Sequence, residues 1–519
     1  MPMGDIIRRS AKRSPKKAAL IFGNESLSYE ELNTRINRLA GSLLRMGLKK
    51  GDRIAVLLHN GPEFFEIYYA SAKIGGIFVP INNLLKKNEL KEIFDYIEPQ
   101  ILFFDPDYTE IILSMGTELK PIRYIVGVGD DAQSGVGKYR ELVDLGKDEE
   151  PTLKISDDDI VSIFLTSGTT GLPKGAMRTH RHAYLDALVG TIELKLRHAD
   201  RMLMVFPFYH VTWEDNMRHL LMGNSIVIRK EGRFDPREVL ETLSREKITV
   251  CQFVPTMISA MLQVEDVEKV DLSPFRLLTY AASPMPVELL KKAMKRFKCQ
   301  FMQLYGQTET GPLTTVLRPE DHVLDGSEEQ LARLASAGRT VLNYEARIVD
   351  GQGMDVRIGE VGEIVVRSES MTVGYWKMPQ ETAETIKDGW LHTGDFGRVD
   401  DDGYVYIVDR KNDMIISGGK NIYPREVEEV LYRYDGVLEA AVIGVPDEHW
   451  GESVKALVVL KPGKTATEED IIAFCKQDLA SYKKPRSVEF REELPKNPTG
   501  KILKRLIRDE YWKGRERKI

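Results

Sequence analysis

Apolar residues recur along the first half of the chain in two alternating rhythms. Ser28 with Glu31 forms a capping box, and Leu32, Ile36, Leu39 and Leu43 follow at helical spacing. Gly47 stops that helix. The run Ile54-Ala55-Val56-Leu57-Leu58 then predicts a short buried strand, residues 63–74 a second helix, and Ile77-Phe78-Val79, after Gly75-Gly76, another strand. Strand-like runs return at 100–104, 160–165, 225–228, 250–254 and 277–280. This rhythm predicts an α/β region with largely parallel sheets.

From about Ala346 the texture changes. Residues 347–349, 362–367 and 404–408 read as strands separated by Asp-Gly turns at Asp350-Gly351, Asp388-Gly389 and Asp402-Gly403. That pattern predicts antiparallel structure with hairpins. After Asp413 a helix over 425–434, strands over 437–445 and 455–460, and a helix over 468–479 predict a compact α+β lid. No internal repeat or long low-complexity segment interrupts the chain.

The chain has 519 residues, 42 % hydrophobic and 29 % charged, a texture that suits a globular protein with a sizeable core. At roughly 150 residues per domain it predicts two to four domains or subdomains. Lys and Arg number 73 against 79 Asp and Glu. The net charge of −6 argues against a nucleic-acid binder relying on bulk charge and leaves room for a local basic site for a small anion. Cys251, Cys299 and Cys475 form neither a disulfide framework nor a zinc pattern, so a reducing, cytoplasmic setting is expected. No apolar run approaches 18 residues, and no membrane span is expected. Residues 1–17 carry Arg8, Arg9, Lys12 and Arg13 with no apolar stretch behind them, which predicts a basic amphipathic first helix and not a signal peptide. Arg517-Lys518-Ile519 is not a peroxisomal address.

The strongest chemical signal is Thr166-Ser167-Gly168-Thr169-Thr170-Gly171-Leu172-Pro173-Lys174-Gly175, directly behind the apolar run 160–165. Glycines let a backbone approach phosphate closely, while hydroxyls and Lys174 add donors. The spacing fails the common P-loop pattern, because Pro173 follows Gly168 at the fifth position and Gly175 follows Lys174. It is a phosphate loop of another kind.

This decamer resembles the phosphate loop of the adenylate-forming (ANL) superfamily, which includes acyl-CoA synthetases, aryl-CoA ligases and the adenylation domains of peptide synthetases. Five later segments resemble its motifs in the same order: Tyr305-Gly306-Gln307-Thr308-Glu309, Thr393-Gly394-Asp395, Asp409-Arg410, the stretch from Ser417-Gly418-Gly419 to Pro424, and Asn497-Pro498-Thr499-Gly500-Lys501. Together they cover essentially the whole chain. The resemblance implies an α/β protein with a large N-terminal domain of stacked α/β subdomains plus a β-barrel-like subdomain, residues 1–409. A hinge at 410–413 and a small mobile α+β C-terminal domain at 414–519 would follow.

The implied activity is that of an AMP-forming acyl-CoA synthetase using ATP, Mg²⁺ and coenzyme A on a small carboxylic acid. ATP contacts are implied for Thr166, Ser167, Gly168, Thr169, Thr170, Gly171, Lys174, Ala282, Gln303, Tyr305, Thr308, Asp395, Arg410 and Lys501. Asp395 would take the ribose hydroxyls, as a carboxylate does well, and Glu309 with Thr166 the metal. Lys501 would stabilise charge developing at the α-phosphate, with Thr308 and His210 also at the reacting centre. Ser417, Gly418 and Gly419 would face coenzyme A, and Asn412 stands where the family's hinge commonly has Asp or Lys. No nucleic-acid partner is implied, and a homodimer is left open.

His210, Trp213 and Ala282 are implied for the acyl site. Tyr209-His210 replaces the Phe-Asp usual in peptide-synthetase adenylation domains and argues against an α-amino acid. Trp213 resembles a tryptophan that gates the fatty-acyl tunnel in long-chain members. Glu214 and Asp215 would favour a cationic acid, as in carnitine-CoA ligases, if either faced the pocket unpaired. Charged side chains are rarely buried unpaired, and Arg218 is a ready partner. The expected substrate is therefore a fatty or other apolar acid. A betaine-type acid, or a thiol acceptor other than coenzyme A, is the alternative.

Overall fold

The structure is a computed structural model. It describes residues 1–519 apart from 120–121, 130–136, 167–172, 411–412, 498–499 and 514–519. Ser167 to Gly171 of the phosphate loop and the hinge residue Asn412 thus lie outside the described residues.

Two large sheets carry the N-terminal region. One has seven strands, six of them parallel from Gly137–Lys138 through Arg53–Leu57 and Ile77–Pro80 to Ile160–Thr166, closed by the antiparallel strand Lys174–Thr179. The other has nine strands, with a parallel centre running from Gln300–Gln307 through Leu277–Tyr280, Val250–Phe253, Arg201–Met204 and Ser225–Ile228 to Ala18–Phe22. The central strands are apolar on both faces, as parallel strands covered by helices must be.

Helix Pro62–Ile74 lies between the sheets and is buried along almost its whole length. Its Phe64, Phe65, Tyr68 and Tyr69 join one core with Ile54, Val56 and Phe78 of the first sheet and Met202, Met204, Ile226 and Ile228 of the second. Helix Tyr29–Arg45 carries the expected capping box at Ser28 and buries the expected stripe. The basic first helix spans Gly4–Arg13, with Ile6, Ile7 and Ser10 turned inward.

The expected change of texture begins at Tyr344–Val349, which pairs with Gly362–Ser368, then Trp390–Val399, in a five-stranded antiparallel sheet. Ile386–Lys387 and Val405–Arg410 both add to Trp390–Val399. The C-terminal sheet is also five-stranded, built on the long pair Val437–Asp447 and Gly451–Leu460. Helices Pro424–Leu431 and Glu468–Asp478 cover it, and the first stops three residues short of the sequence expectation. Among the described residues, no helix is long and apolar enough to cross a membrane.

Candidate active site

The candidate residues gather where strands end. Ligand crevices in open α/β sheets lie outside the carboxyl ends of the strands. Strand Ile160–Thr166 delivers the phosphate loop, Arg201–Met204 leads to Tyr209-His210, and Leu277–Tyr280 leads to Ala281-Ala282. Ala282 holds a left-handed backbone, φ +71°, which non-glycine residues seldom adopt and which clusters at functional sites.

Asp395 is 4 % exposed and tightly held. Its Oδ2 accepts hydrogen bonds from the Tyr305 hydroxyl at 2.8 Å and from Gln307 Nε2 at 2.7 Å. Arg410 Nε lies 3.3 Å from Oδ1. The antiparallel pairing of Trp390–Val399 with Val405–Arg410 sets Asp395 directly opposite Arg410. Burial first, then the Asp395 charge, drives the Tyr305 phenol well above its ordinary pKa, so it stays a donor. Gln303 is buried on the same strand.

Lys501 is carried on the segment between strand Ser487–Phe490 and helix Lys504–Tyr511 of the C-terminal part. The Gly500 carbonyl accepts a 2.9 Å hydrogen bond from Thr256 of the large region, and the Lys501 amide donates to Asn497 Oδ1 at 2.8 Å. Burial, reinforced by Arg410, pushes the Lys501 ammonium down to about 8, while Asp395 and Asp413 pull the other way. Lys501 thus shares one electrostatic site with the Asp395–Arg410 pair.

Glu309 and Lys174 meet across Tyr375. The Tyr375 hydroxyl donates to Glu309 Oε1 at 2.9 Å, and Lys174 Nζ sits 5.0 Å from the ring centre. Thr372 bridges the same elements, donating its N–H to the Glu309 carbonyl and its hydroxyl to the Met177 carbonyl. The Thr166 hydroxyl donates to the Lys174 carbonyl at 3.2 Å. Thr308 is half-buried on this turn. A Mg²⁺ ion usually takes one or two carboxylates and completes its shell with phosphate oxygens and water, and Glu309 fits that role. Among the described residues, no group of three or more His, Cys, Asp or Glu could hold a metal without a substrate.

On the acyl side, burial pushes His210 down to about 4, so the ring is neutral at physiological pH. Its buried Nε2 and the Tyr209 hydroxyl have no hydrogen-bond partner among the described residues. Trp213 does not border an opening. It is 1 % exposed, with the rings of Phe64, Phe65, Tyr68, Phe78 and Phe208 centred between 5.0 and 6.0 Å away. Glu214 accepts from Arg178 Nε at 2.5 Å, Ser162 Oγ at 2.6 Å and the Tyr68 hydroxyl at 2.9 Å. Asp215 pairs with Arg218.

Ser417, Gly418 and Gly419 stand apart, in a hairpin between Ile415–Ser417 and Lys420–Ile422. The Gly418 amide donates to the Trp450 carbonyl at 2.8 Å. Sequence reasoning passed over Gln307, Tyr375, Thr372 and Thr256. Gln307 lay inside a recognised motif, whereas the other three carry no local mark and are recruited by tertiary contact.

A buried carboxylate paired with an arginine, and a lysine brought to it by a second lobe, behind a sequence rich in glycine and hydroxyls, mark a nucleotide-binding enzyme built from two parts. The chain belongs to the AMP-binding enzyme family: the model of that family matches residues 7–376, and the model of its C-terminal domain matches 426–501. It is similar to the fatty acid–[acyl-carrier-protein] ligase ScoC of Streptomyces coeruleorubidus, at 36 % identity over 98 % of this chain and 96 % of that protein. A feruloyl-CoA synthase from an Amycolatopsis species is 37 % identical over 97 % of this chain and 98 % of its own length. The crystal structure of the anthranilate CoA ligase AuaEII in complex with anthranoyl-AMP superposes with a TM-score of 0.92 at 29 % identity, over 98 % of this chain and 97 % of that one. The protein is an AMP-forming acid–thiol ligase of the ANL superfamily, with ATP, a carboxylic acid and a thiol as substrates.

Proposed function

We propose that this chain activates an uncharged, apolar carboxylic acid of the fatty type with ATP and passes the acyl group to coenzyme A. The acid's carboxylate oxygen attacks the α-phosphorus, the bond to the β-phosphate oxygen breaks, and pyrophosphate leaves. The thiol sulfur then attacks the acyl carbonyl, and AMP departs with the electrons of the C–O bond.

In this reading Asp395, fixed by Tyr305, Gln307 and Arg410, takes the ribose hydroxyls, and Gln303 and Ala282 border the nucleotide. Lys174, Thr166 and the rest of the decamer hold the phosphates. Mg²⁺, held by Glu309 and phosphate oxygens, would offset phosphate charge. Lys501 meets the charge that grows on the α-phosphate oxygens. Thr308 lies between the two reacting groups, and neutral His210 offers Nε2 to the acid's carboxylate. Residues 414–519 would then turn about 410–413, and the Ser417–Gly419 hairpin would replace Lys501 for thiol attack.

The substrate class rests on one observation. Glu214 and Asp215 are each bound to a buried arginine, and Glu231, the carboxylate whose charge reaches His210, is taken up by Asn83 and His59. A cationic acid would find no free counter-charge there, and burying it unpaired would cost several kcal/mol. The name of the fatty-acid-activating relative supports the same class, and the feruloyl and anthranilate relatives mark aromatic acids as the competing one. Competition among octanoate, ferulate and γ-butyrobetaine at equal concentration, read as acyl-CoA formed, tests this. Octanoate should lead by at least about tenfold in kcat/KM. A lead for γ-butyrobetaine or ferulate would overturn the proposal, and transfer to a carrier protein in preference to coenzyme A would overturn its second half.

A further inference from the structure

Arg178 lies outside the motifs read from the sequence, three residues beyond the decamer, yet it ties the strand behind that decamer to two helices. It lies on strand Lys174–Thr179, four residues beyond Lys174, and its side chain is 1 % exposed. Nε donates to Glu214 on helix Val211–Asp215, the helix that begins directly after His210. Nη2 donates to Asp186 on helix His180–Glu193.

Asp186 in turn lies under the turn that carries Thr308 and Glu309. A Cβ on Gly311 would stand 2.7 Å from Asp186 Oδ2 and 3.0 Å from the Tyr344 hydroxyl, so the backbone there is pressed against this pair. Tyr344 donates to the Thr310 carbonyl. One guanidinium therefore holds the last turn of the acyl-side helix with one nitrogen and the carboxylate beneath the Thr308–Glu309 turn with another.

Stability alone is a poor explanation for this arrangement. A buried ion network is often replaceable by apolar side chains without loss, because desolvation offsets the attraction. Burial works against the charge of Arg178, but Asp186 and Glu214 outweigh it and hold the guanidinium charged. What the planar fork adds over packing is direction: two N–H groups at a fixed angle hold two carboxylates at a fixed separation.

We infer that Arg178 is a positioning residue that sets the distance between the acyl-side helix and the Thr308–Glu309 turn. It thereby aligns the acid's carboxylate with the α-phosphate. The inference rests on His210 facing that carboxylate but not on which acid is used.

Three variants test it, with the acid that the competition above selects and pyrophosphate release as the readout. Glu214→Gln keeps the bonds from Ser162 and Tyr68 and removes the charge that Arg178 grips. It should raise KM for the acid by about tenfold and leave KM for ATP within about threefold. Tyr344→Phe removes only the hydroxyl on Thr310 and should raise KM for ATP several-fold with the acid unaffected. Arg178→Lys cannot span both carboxylates and should raise both constants by about tenfold and lower kcat, at an unchanged circular dichroism spectrum. A folded Arg178→Lys with both KM values unchanged would overturn the inference. So would activity lost only in proportion to the folded fraction, which is what a purely structural arginine would give. If Arg178→Lys does not fold, the two milder variants carry the test, one raising KM for the acid alone and the other KM for ATP alone, and absence of that split overturns it.

Discussion

Lys501 shows how far placement sets the chemistry of a residue. An ordinary lysine titrates near 10.5, and burial beside Arg410 brings this one to about 8. Its folded pKa lies below its unfolded one, so docking the charged side chain opposes folding below about pH 8. That opposition fades as pH rises from 8 towards 10.5. A developing phosphate charge supplies the missing partner, which suits an ammonium waiting for a transition state and not for a ground-state ion pair. Lys501→Ala should slow acyl-AMP formation by about 10²-fold or more, the scale of one electrostatic group. Conversion of supplied acyl-AMP to thioester should stay nearly intact. In the unsubstituted enzyme, kcat/KM for adenylation should fall as pH rises through about 8, where the free enzyme loses this proton, and the second half-reaction should not share that limb. Equal loss in both half-reactions would refute the assignment.

At the scale of single elements, the hairpin Ile415–Ser417 and Lys420–Ile422 is the clearest case. Its two-residue loop has φ +57° at Gly418 and +75° at Gly419, the left-handed pair that a tight hairpin matching strand twist requires. The two glycines differ in surroundings. A Cβ at Gly418 would stand 2.6 Å from the Trp450 ring, whereas one at Gly419 would meet nothing within 4 Å. Gly419→Leu thus fits this arrangement at a backbone cost of about 1–2 kcal/mol. In a single turnover it should release pyrophosphate at nearly the normal rate and stall before acyl-CoA, if the hairpin turns towards the pantetheine for the second step. Blockage confined to the first step would show that the hairpin faces elsewhere.

For the whole molecule, the question is how two lobes agree on one site. The contact between the Gly500 carbonyl and Thr256 joins the lysine-bearing loop to helix Pro255–Leu262. Gly500 sits at φ +87°, and a Cβ there would approach Thr256 Oγ1 to 2.7 Å. Gly500→Ala should therefore push the loop from its seat without touching either core. Adenylation should slow by about tenfold or more while thermal stability and acyl-AMP-to-thioester conversion change little. A loss of both half-reactions alike would place the defect in folding and not in docking.

The sequence by itself determined the periodicities, and with them the parallel strands, the change to antiparallel hairpins near residue 346 and the α+β C-terminal part. Those patterns are local, since each strand or helix announces its buried face through its own spacing. It also determined the ordered motifs, so Lys174, Glu309, Asp395, Arg410 and Lys501 were legible before any fold was known. The short strand Ala18–Phe22 was not, because it joins the sheet through Ser225–Ile228 far along the chain, and Glu25–Ser28 only folds back on it as the edge hairpin. Tertiary structure alone decided what Glu214, Asp215 and Trp213 do. Each could have lined a pocket at its position in the chain. Arg178 and Arg218 claim the carboxylates, and five aromatic rings from three separate segments enclose the indole. The reason is physical: a charge or an aromatic face is satisfied by whichever partner the fold brings within a few ångströms, and that partner's identity is not written beside it.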